Sequence, residues 1–376
     1  MARTLKSDRV LFIATLLLVA TSIVMVYSAS AVYAMGHHKP PSYFMFKQLA
    51  WALIGLCVLG VTMRVDYRTY RQPVVIWSAL AVVGLALVAV LFSRPINGTS
   101  RWFSLAGITL QPSELAKLAA IVFTAALLER RMHRINDLRY ALLPVGVVTL
   151  ILTGLILQEP DFGTAASLAL VVAAIVFVAG LSYRYLFTAA LVLLPTAFAI
   201  VMSAGYRRRR LWTYLNPWQD PLHDGYQIVQ SLIAVGSGGI FGRGLMGGVQ
   251  KLFFLPEPHT DFIYAVIAEE LGLIGATVLL VCFGVIAWRG LRVAVTAPDR
   301  FGALLAIGLT TMVAVQAFVN ISVVTGILPN KGLPLPFVSN GGSSLLINLL
   351  GMGILLNISQ QATRTLTTTS TVQMGK

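Results

Sequence analysis

The residues best placed for proton-transfer chemistry lie in "LPEPHTDFIYAVIAEELGLIG", which runs from Leu255 to Gly275. This stretch places His259 and Asp261 directly before an apolar run. Ionisable groups at a membrane helix are costly to bury and often mark functional sites. A carboxylate beside a histidine at the end of a polar segment suits a general base, which takes a proton from an attacking hydroxyl group. The competing interpretation is that Asp261 caps the helix that follows.

Two more pairs of charged residues could take part in chemistry. Glu114 and Lys117 occur in "LQPSELAKL", and their spacing of three predicts an ion pair on one face of a helix. At membrane depth such a pair is either a structural contact or part of a site, and the sequence leaves both open. Glu159 and Asp161 occur in "QEPDFG", where a helix cap and a solvated turn explain them as well as a functional role does.

Four consecutive arginines, Arg207, Arg208, Arg209 and Arg210, open the segment "YRRRRLWTYLNPWQDP". Guanidinium groups bind phosphate through paired hydrogen bonds, so this run predicts a phosphate cradle, although a solvated or headgroup-facing patch explains it equally well. No GxxxxGK[ST], HExxH or GxSxG pattern occurs in the chain. Nucleotide hydrolysis, zinc proteolysis and serine hydrolysis therefore have no support from a motif.

The elements that position these residues are predicted to be membrane helices. Of the 376 residues, 57% are hydrophobic and only 11% are charged, and the mean hydropathy is +0.80. These values indicate an all-α integral membrane protein. The apolar runs predict ten spans, near residues 10–34, 48–63, 73–92, 112–128, 140–157, 163–180, 186–204, 262–287, 302–325 and 343–358. One long loop, at about residues 205–261, separates spans seven and eight, and long loops commonly carry function.

The distribution of basic residues predicts the orientation in the membrane. With the N-terminus inside, sixteen Lys and Arg residues fall in inner segments and five in short outer loops. The positive-inside rule then places both termini in the cytoplasm and the long loop outside. The net charge of +14 follows from this topology and from contact with anionic membrane lipid, so no nucleic acid is expected as a partner.

Six motifs together resemble one family over essentially the whole chain. They are "NGTSRWF…LQPSELAKL", "QEPDFGTA", "NPWQDP…GYQIVQS", "GSGGIFGRGL", "LPEPHTDFIYAVIAEELGLIG" and "LPNKGLPLPFVSNGGSS". In this order they are similar to the SEDS family of cell-wall polymerases, which comprises FtsW, RodA and SpoVE. "PEPHTDFI", "GSGGIFG" and "LPNKG" look more like the division member than the elongation member. The resemblance implies a single polytopic domain over residues 1–376.

The resemblance also implies a function. Members are inverting peptidoglycan glycosyltransferases that join lipid II to a growing undecaprenyl-pyrophosphate-linked glycan outside the cytoplasmic (inner) membrane. The essential aspartate of the family falls on Asp261, and its paired Glu and Lys fall on Glu114 and Lys117. One departure is Asn340, because the family usually has "SYGGSS" where this chain has "SNGGSS". A contact made by that tyrosine ring would be altered here.

The leaving pyrophosphate requires cations nearby. The residues expected to bind the substrate and its pyrophosphate are Arg101, Glu114, Lys117, Arg207, Arg208, Arg209, Arg210, His259, Lys331 and Ser343. The sequence offers no clear metal cage, and a divalent Mg or Mn ion is left open as a cofactor.

The resemblance further implies a protein partner, a class B penicillin-binding protein, which is a transpeptidase with a single span. Three alternatives remain open from the sequence. A lipid II flippase or transporter would also need many spans and membrane-embedded charges. A scaffold that recruits an enzyme would not need Asp261, and an elongation polymerase would share the chemistry but not the role in division.

Overall fold

A computed structural model of the chain describes residues 7–93, 100–105, 108–203, 205–223, 225–329 and 332–374. Its helices are α1 Arg9–Gly36, α2 Tyr43–Thr62, α3 Pro73–Leu91, α4 Pro112–Arg131, α5 Leu143–Gln158, α6 Phe162–Val178, α7 Tyr183–Ser203, α8 Gly205–Leu215, α9 Tyr226–Ser237, α10 Ile263–Thr296, α11 Arg300–Val324 and α12 Gly342–Met374. Strands β1 (Phe103–Leu105) and β2 (Ile108–Leu110) form an antiparallel pair with Ser104 opposite Thr109. Short 3₁₀ turns cover Tyr67–Arg71, Met132–Arg134 and Pro217–Gln219, and a π-helical turn covers Leu138–Leu142.

The helices confirm the predicted all-α membrane fold. Each predicted span overlaps one helix. Among the described residues, seven helices are long and apolar enough to cross a membrane. These are α1, α2, α3, α10, α11, the stretch Leu138–Gln158 that includes α5, and the first part of α12, Gly342–Ala362. Helix α6 is apolar but shorter. The total of ten spans and the position of the long loop therefore stay predictions.

Helices α11 and α12 lie inside the bundle. Helix α11 packs against α4, α6, α10 and α12. Within the apolar 18-residue stretch of each helix, 67% of the residues are buried in α11 and 89% in α12, but only 22% in α3. The peripheral helices expose their apolar side chains, as helices in contact with lipid do. Polar side chains on α11 therefore lie deep within protein, where each needs a hydrogen-bond partner.

The segment at residues 205–261 is more ordered than a loop. It contains helices α8 and α9, which the search for membrane-length apolar runs missed because both are too short to span. After α9 the glycine-rich stretch crosses α10. A Cβ on Gly272 would lie 2.3 Å from the backbone nitrogen of Gly242, so this close approach requires glycine. Gly272 has a φ of +66°, which breaks the helical path of α10.

The break in α10 gives the crossing segment its hydrogen bonds. The carbonyl oxygens of Glu269 and Glu270 accept bonds from the backbone N–H groups of Arg243 and Gly244, each at 3.0 Å. Backbone groups released by a helix break must be satisfied within the protein at membrane depth. Gly238 and Gly242 bring the backbone of this segment close to α10.

Candidate active site

Asp261 lies at the junction between the crossing segment and α10. The N-cap residue of α10 is Phe262, and no side chain caps this helix. The helix-cap interpretation of Asp261 is therefore wrong. The backbone oxygen of Asp261 accepts a hydrogen bond from Asn320 Nδ2 at 2.8 Å. A Cβ on Gly332 would lie 2.6 Å from Asp261 Oδ2, so the carboxylate sits directly against the backbone at Gly332.

The surroundings of Asp261 favour a base that titrates near neutrality. The pKa of Asp261 is raised to about 7, mainly by burial and to a smaller extent by the negative charges of Glu257 and Asp161, while Arg101 acts to lower it. Desolvation and like charges both disfavour the ionised carboxylate. A base whose pKa is near the working pH combines a useful ionised fraction with a strong drive to accept a proton.

Asp161 is the cap that one interpretation of "QEPDFG" predicted. Its Oδ1 accepts the backbone N–H of Thr164 at 3.1 Å, and its Oδ2 accepts the Thr164 hydroxyl at 2.8 Å and Gln111 Nε2 at 3.1 Å. Arg101 Nε donates a hydrogen bond to the Glu159 carbonyl oxygen at 2.7 Å and so holds the turn that precedes Asp161. Asp161 and Arg101 are thus fixed in place, and both act electrostatically on Asp261.

Glu159 is buried in the same region without a partner for its side chain. It is 0% exposed, and neither carboxyl oxygen has a hydrogen-bond partner among the described residues. The pKa of Glu159 is raised to about 8, mainly by burial and to a smaller extent by the charge of Asp161, while Arg101 acts to lower it. Glu159 is therefore mainly a neutral carboxylic acid at pH 7.

His259 packs as an aromatic residue. It is 3% exposed, and its ring lies 4.9 Å from that of Tyr33 and 4.8 Å from that of Phe44, measured between centroids. Burial lowers the pKa of His259 to about 4, with a smaller effect from His37, so His259 is neutral at pH 7 and supplies no charge to a pyrophosphate. Its backbone oxygen accepts the N–H of Asn340 at 2.9 Å, a contact that does not depend on the side chain at position 340.

Glu114 and Lys117 form the predicted ion pair. Lys117 Nζ lies 2.9 Å from Glu114 Oε1, and each side chain is 1% exposed. Lys117 Nζ also donates to Gln316 Oε1 at 2.8 Å. The pair confirms the spacing argument. Because Lys117 is enclosed and already bonded twice, a direct contact between this ammonium and a substrate pyrophosphate would require the surrounding side chains to move.

The remaining expected binding residues fall in α8, at the start of α12 and at position 331. Arg208 and Arg209 line a cavity of about 400 Å³ with Trp212 and Asn216, formed within residues 205–220. Arg207 and Arg210 belong to α8, but their side chains, like all of Lys331, lie outside the described residues. The Ser343 hydroxyl donates to the Thr109 carbonyl at 2.8 Å and accepts the Gln111 N–H at 3.1 Å, which ties α12 to β2. Substrate contacts by these residues stay predictions.

Three residues in the region of Asp261 were not predicted from the sequence: Gln316, Asn320 and Gly332. Gln316 and Asn320 lie four apart in "VAVQAFVN", inside a predicted span. Polar amides within an apolar span are themselves a signal of a buried polar contact, so the sequence did contain a clue. Among the described residues, no group of three or more His, Cys, Asp or Glu side chains is arranged to hold a metal ion.

A second acidic cluster lies about two helical turns after Asp261, within α10. Glu269 and Glu270 are both 0% exposed. Lys251 Nζ lies 2.5 Å from Glu270 Oε1. The other groups that bind these two carboxylates are Ser28 Oγ, the backbone N–H groups of Met246, Val249 and Gln250, and the Arg243 guanidinium. We call these two glutamates and Lys251 the α10 anchor, because they hold residues 243–251 against that helix.

Known proteins resemble the chain over nearly its full length. The family of cell cycle proteins that comprises FtsW, RodA and SpoVE matches residues 8–364. A probable peptidoglycan glycosyltransferase FtsW of Geobacter sulfurreducens is 44% identical over 94% of this chain and 95% of its own. Stage V sporulation protein E of Bacillus subtilis is 42% identical over 94% of this chain and 97% of its own.

Solved structures agree in fold. A chain from a peptidoglycan synthase complex that coordinates polymerization and crosslinking has a TM-score of 0.79 and 32% identity, covering 95% of this chain and 99% of its own. The rod shape determining protein RodA of Thermus thermophilus has a TM-score of 0.70 and 28% identity, covering 95% and 98%. With the motifs, the helical membrane fold and these similarities in agreement, the chain belongs to the FtsW/RodA/SpoVE family of cell cycle proteins.

Proposed function

We propose that this protein is a peptidoglycan glycosyltransferase that polymerises lipid II during cell division, with Asp261 as general base. The observation that carries the proposal is the Asp261 carboxylate, held against Gly332 with its pKa raised to about 7 by burial and by nearby negative charge. The similarity to FtsW proteins supports both the activity and the role in division.

The reaction needs one proton transfer and one displacement. Asp261 takes the proton from the 4-hydroxyl group of lipid II as that oxygen attacks the anomeric carbon of the growing glycan. The bond from that carbon to undecaprenyl pyrophosphate breaks with inversion, and the electron pair leaves with the pyrophosphate. Arg101 is the cation whose charge acts on Asp261 and Glu159. It is therefore our first candidate to stabilise charge on the leaving group.

Polymerisation of defined lipid II by the purified full chain tests the proposal. Asp261→Asn keeps the size of the side chain but cannot act as a base, so the rate should fall by a factor on the order of 100 to 10,000 while the protein still folds. Asp261→Glu should recover little, because one added methylene moves the carboxylate away from the hydroxyl. A variant Asp261→Asn that polymerises at the parent rate would remove Asp261 from the mechanism, and lipid II transport into vesicles would then be measured.

We also propose that both termini are cytoplasmic and that Asp261 faces the opposite side of the membrane, on the basis of the basic residues in the short loops. A reporter fused after Lys376 and another inserted near Asp220 should report opposite sides. Detection of both on the same side would overturn this topology.

The proposed partner is a class B penicillin-binding protein. A chain of similar fold comes from a peptidoglycan synthase complex, which supports a stable assembly with a crosslinking enzyme. Contacts between membrane helices and between the extracytoplasmic parts of both proteins are expected to hold the pair together. Co-purification from membranes should recover the transpeptidase. Full activity of the chain alone, with no transpeptidase recovered, would argue against this partner.

A further inference from the structure

Two buried amides on α11 connect the surroundings of Asp261 to the Glu114–Lys117 pair. Gln316 and Asn320 are one helical turn apart and each is 1% exposed. Residues four apart share one face of a helix, and both amides contact the segment 332–334. Neither amide takes part in the proposed proton transfer.

Asn320 bridges two segments of chain that are far apart in sequence. Its Nδ2 donates to the Asp261 carbonyl at 2.8 Å and to the Leu333 carbonyl at 2.7 Å. The amide nitrogen thereby donates both of its hydrogens to backbone carbonyl oxygens, one of Asp261 itself and one of Leu333. Leu333 is itself 2% exposed, and its side chain lies close to Gly163 at the start of α6. The Leu333 backbone is thus fixed from two sides.

Gln316 makes the second connection. Its Oε1 accepts Lys117 Nζ at 2.8 Å, and its Nε2 donates to the Pro334 carbonyl at 2.9 Å. A weaker contact at 3.4 Å joins the same Nε2 to Ser344 Oγ. The charged pair on α4 therefore fixes the orientation of the Gln316 amide, and the amide in turn fixes the position of Pro334.

The segment held in this way touches the reactive carboxylate. Gly332 precedes Leu333, and a Cβ at Gly332 would lie 2.6 Å from Asp261 Oδ2. A shift of this backbone by a fraction of an ångström would move the carboxylate or open a gap beside it. Displacement of a catalytic group by about 1 Å can reduce a rate on the order of 100-fold.

We infer that Asn320 and Gln316 are positioning residues for Asp261, which hold residues 332–334 against its carboxylate, and that the Glu114–Lys117 pair supports catalysis through Gln316. This inference rests on the proposed function. It makes the charged pair a support for the site, in place of a group that binds pyrophosphate directly.

The alternative is that both amides only satisfy buried backbone groups. The two interpretations differ in whether loss of an amide lets water reach the Asp261 carboxylate. The charged groups that act on the Asp261 carboxylate are Glu257 from its own segment, Asp161 at the start of α6, and Arg101 before β1. Release of the 332–334 segment leaves these charges in place but admits water, so the pKa of Asp261 should fall. The acidic limb of the pH–rate profile should then move to lower pH.

The decisive variant is Asn320→Ala, measured as full-length protein with lipid II across pH 5 to 9. We expect kcat to fall at least about tenfold, with KM for lipid II little changed and the acidic limb moved to lower pH. Gln316→Met should show the same pattern more weakly. The matched control is Asn357→Ala, because Asn357 is a buried asparagine that also bridges two backbone groups, the Met63 carbonyl and the Tyr67 N–H, at 2.9 and 3.0 Å.

Asn357→Ala should lose a comparable amount of thermal stability without a change in the acidic limb. An Asn320→Ala protein with the kcat and pH profile of that control would overturn the inference. If Asn320→Ala does not fold, Gly332→Ala decides, because position 332 is exposed and the new Cβ would displace the carboxylate directly. Parent-like kcat in Gly332→Ala would refute the inference. Failure of the parent itself to polymerise lipid II would instead refute the proposed function.

Discussion

The two acidic clusters at the start of α10 differ in how their carboxylates are satisfied. In the α10 anchor, Glu269 and Glu270 receive two cations, a hydroxyl group and several backbone N–H groups. Eight residues earlier in the chain, Asp261 receives no hydrogen bond to its carboxylate from any described residue, and it faces the negative charges of Glu257 and Asp161. Fully paired buried carboxylates serve structure, whereas a carboxylate kept short of partners in a charged site is suited to react.

The largest expected effect concerns the anchor. Lys251→Ala leaves the Glu270 carboxylate buried without its ammonium partner, and removal of one member of a buried pair lowers the free energy of unfolding by about 3–5 kcal/mol. Thermal and denaturant unfolding in detergent would measure this loss. The double variant Lys251→Met with Glu270→Gln removes both charges of the pair and should recover much of this stability. Unchanged unfolding of Lys251→Ala would show that the anchor contributes nothing.

Substitutions in the Glu114–Lys117 pair should lower stability, as in the α10 anchor, and should also lower the rate of polymerisation, as at Asp261. Glu114→Ala or Lys117→Ala should lower the free energy of unfolding by about 3 kcal/mol, and the exchanged pair Glu114→Lys with Lys117→Glu should restore part of it. Arg71→Ala is a matched control, because its ion pair with Glu129 has a similar length, 2.8 Å against 2.9 Å, but its side chain is 43% exposed. That control should cost at most about 1 kcal/mol.

The pH dependence of polymerisation tests whether the Asp261 carboxylate is the general base. A general base works only when ionised, so the rate should decline about tenfold per pH unit below pH 7 and level off above it. The midpoint follows from the pKa of Asp261, which burial and neighbouring carboxylates raise to about 7. Initial rates with saturating lipid II across pH 5 to 9 measure this limb. An acidic limb centred near pH 4 would mean that Asp261 is not the base, or that its burial does not persist with substrate bound.

The smallest expected effect is a gain in stability. Because the pKa of Asp261 rises from 3.8 to about 7 on folding, the native state binds a proton that the unfolded state releases, so ionisation destabilises the fold as pH rises from about 4 to 7. Asp261→Asn removes this penalty. Its melting temperature should exceed that of the parent by a few degrees at pH 8 and by less at pH 5. A helix cap would predict no gain at either pH.

Local patterns in the sequence were sufficient for much of the fold. The apolar runs predicted the positions of the long helices, since burial in lipid demands long uninterrupted apolar stretches. The pair of Glu114 and Lys117 was predictable because a spacing of three on a helix sets the distance between side chains almost by itself. Asp261 was proposed as the base because a charge beside an apolar run stands out.

The sequence alone did not reveal which residues surround Asp261. Asn320 lies 59 residues from Asp261 along the chain. Only the packing of α11 against α10 brings its amide to the Asp261 carbonyl. Asp161, predicted with a cap as one option, proved to be both a cap and a neighbour that raises the pKa of Asp261. The sequence by itself determined the class of the protein, its long apolar helices and the carboxylate proposed to react, because those depend on local hydropathy and spacing. Only the tertiary structure decided how few partners that carboxylate has, because desolvation and charge at one point depend on every segment packed around it.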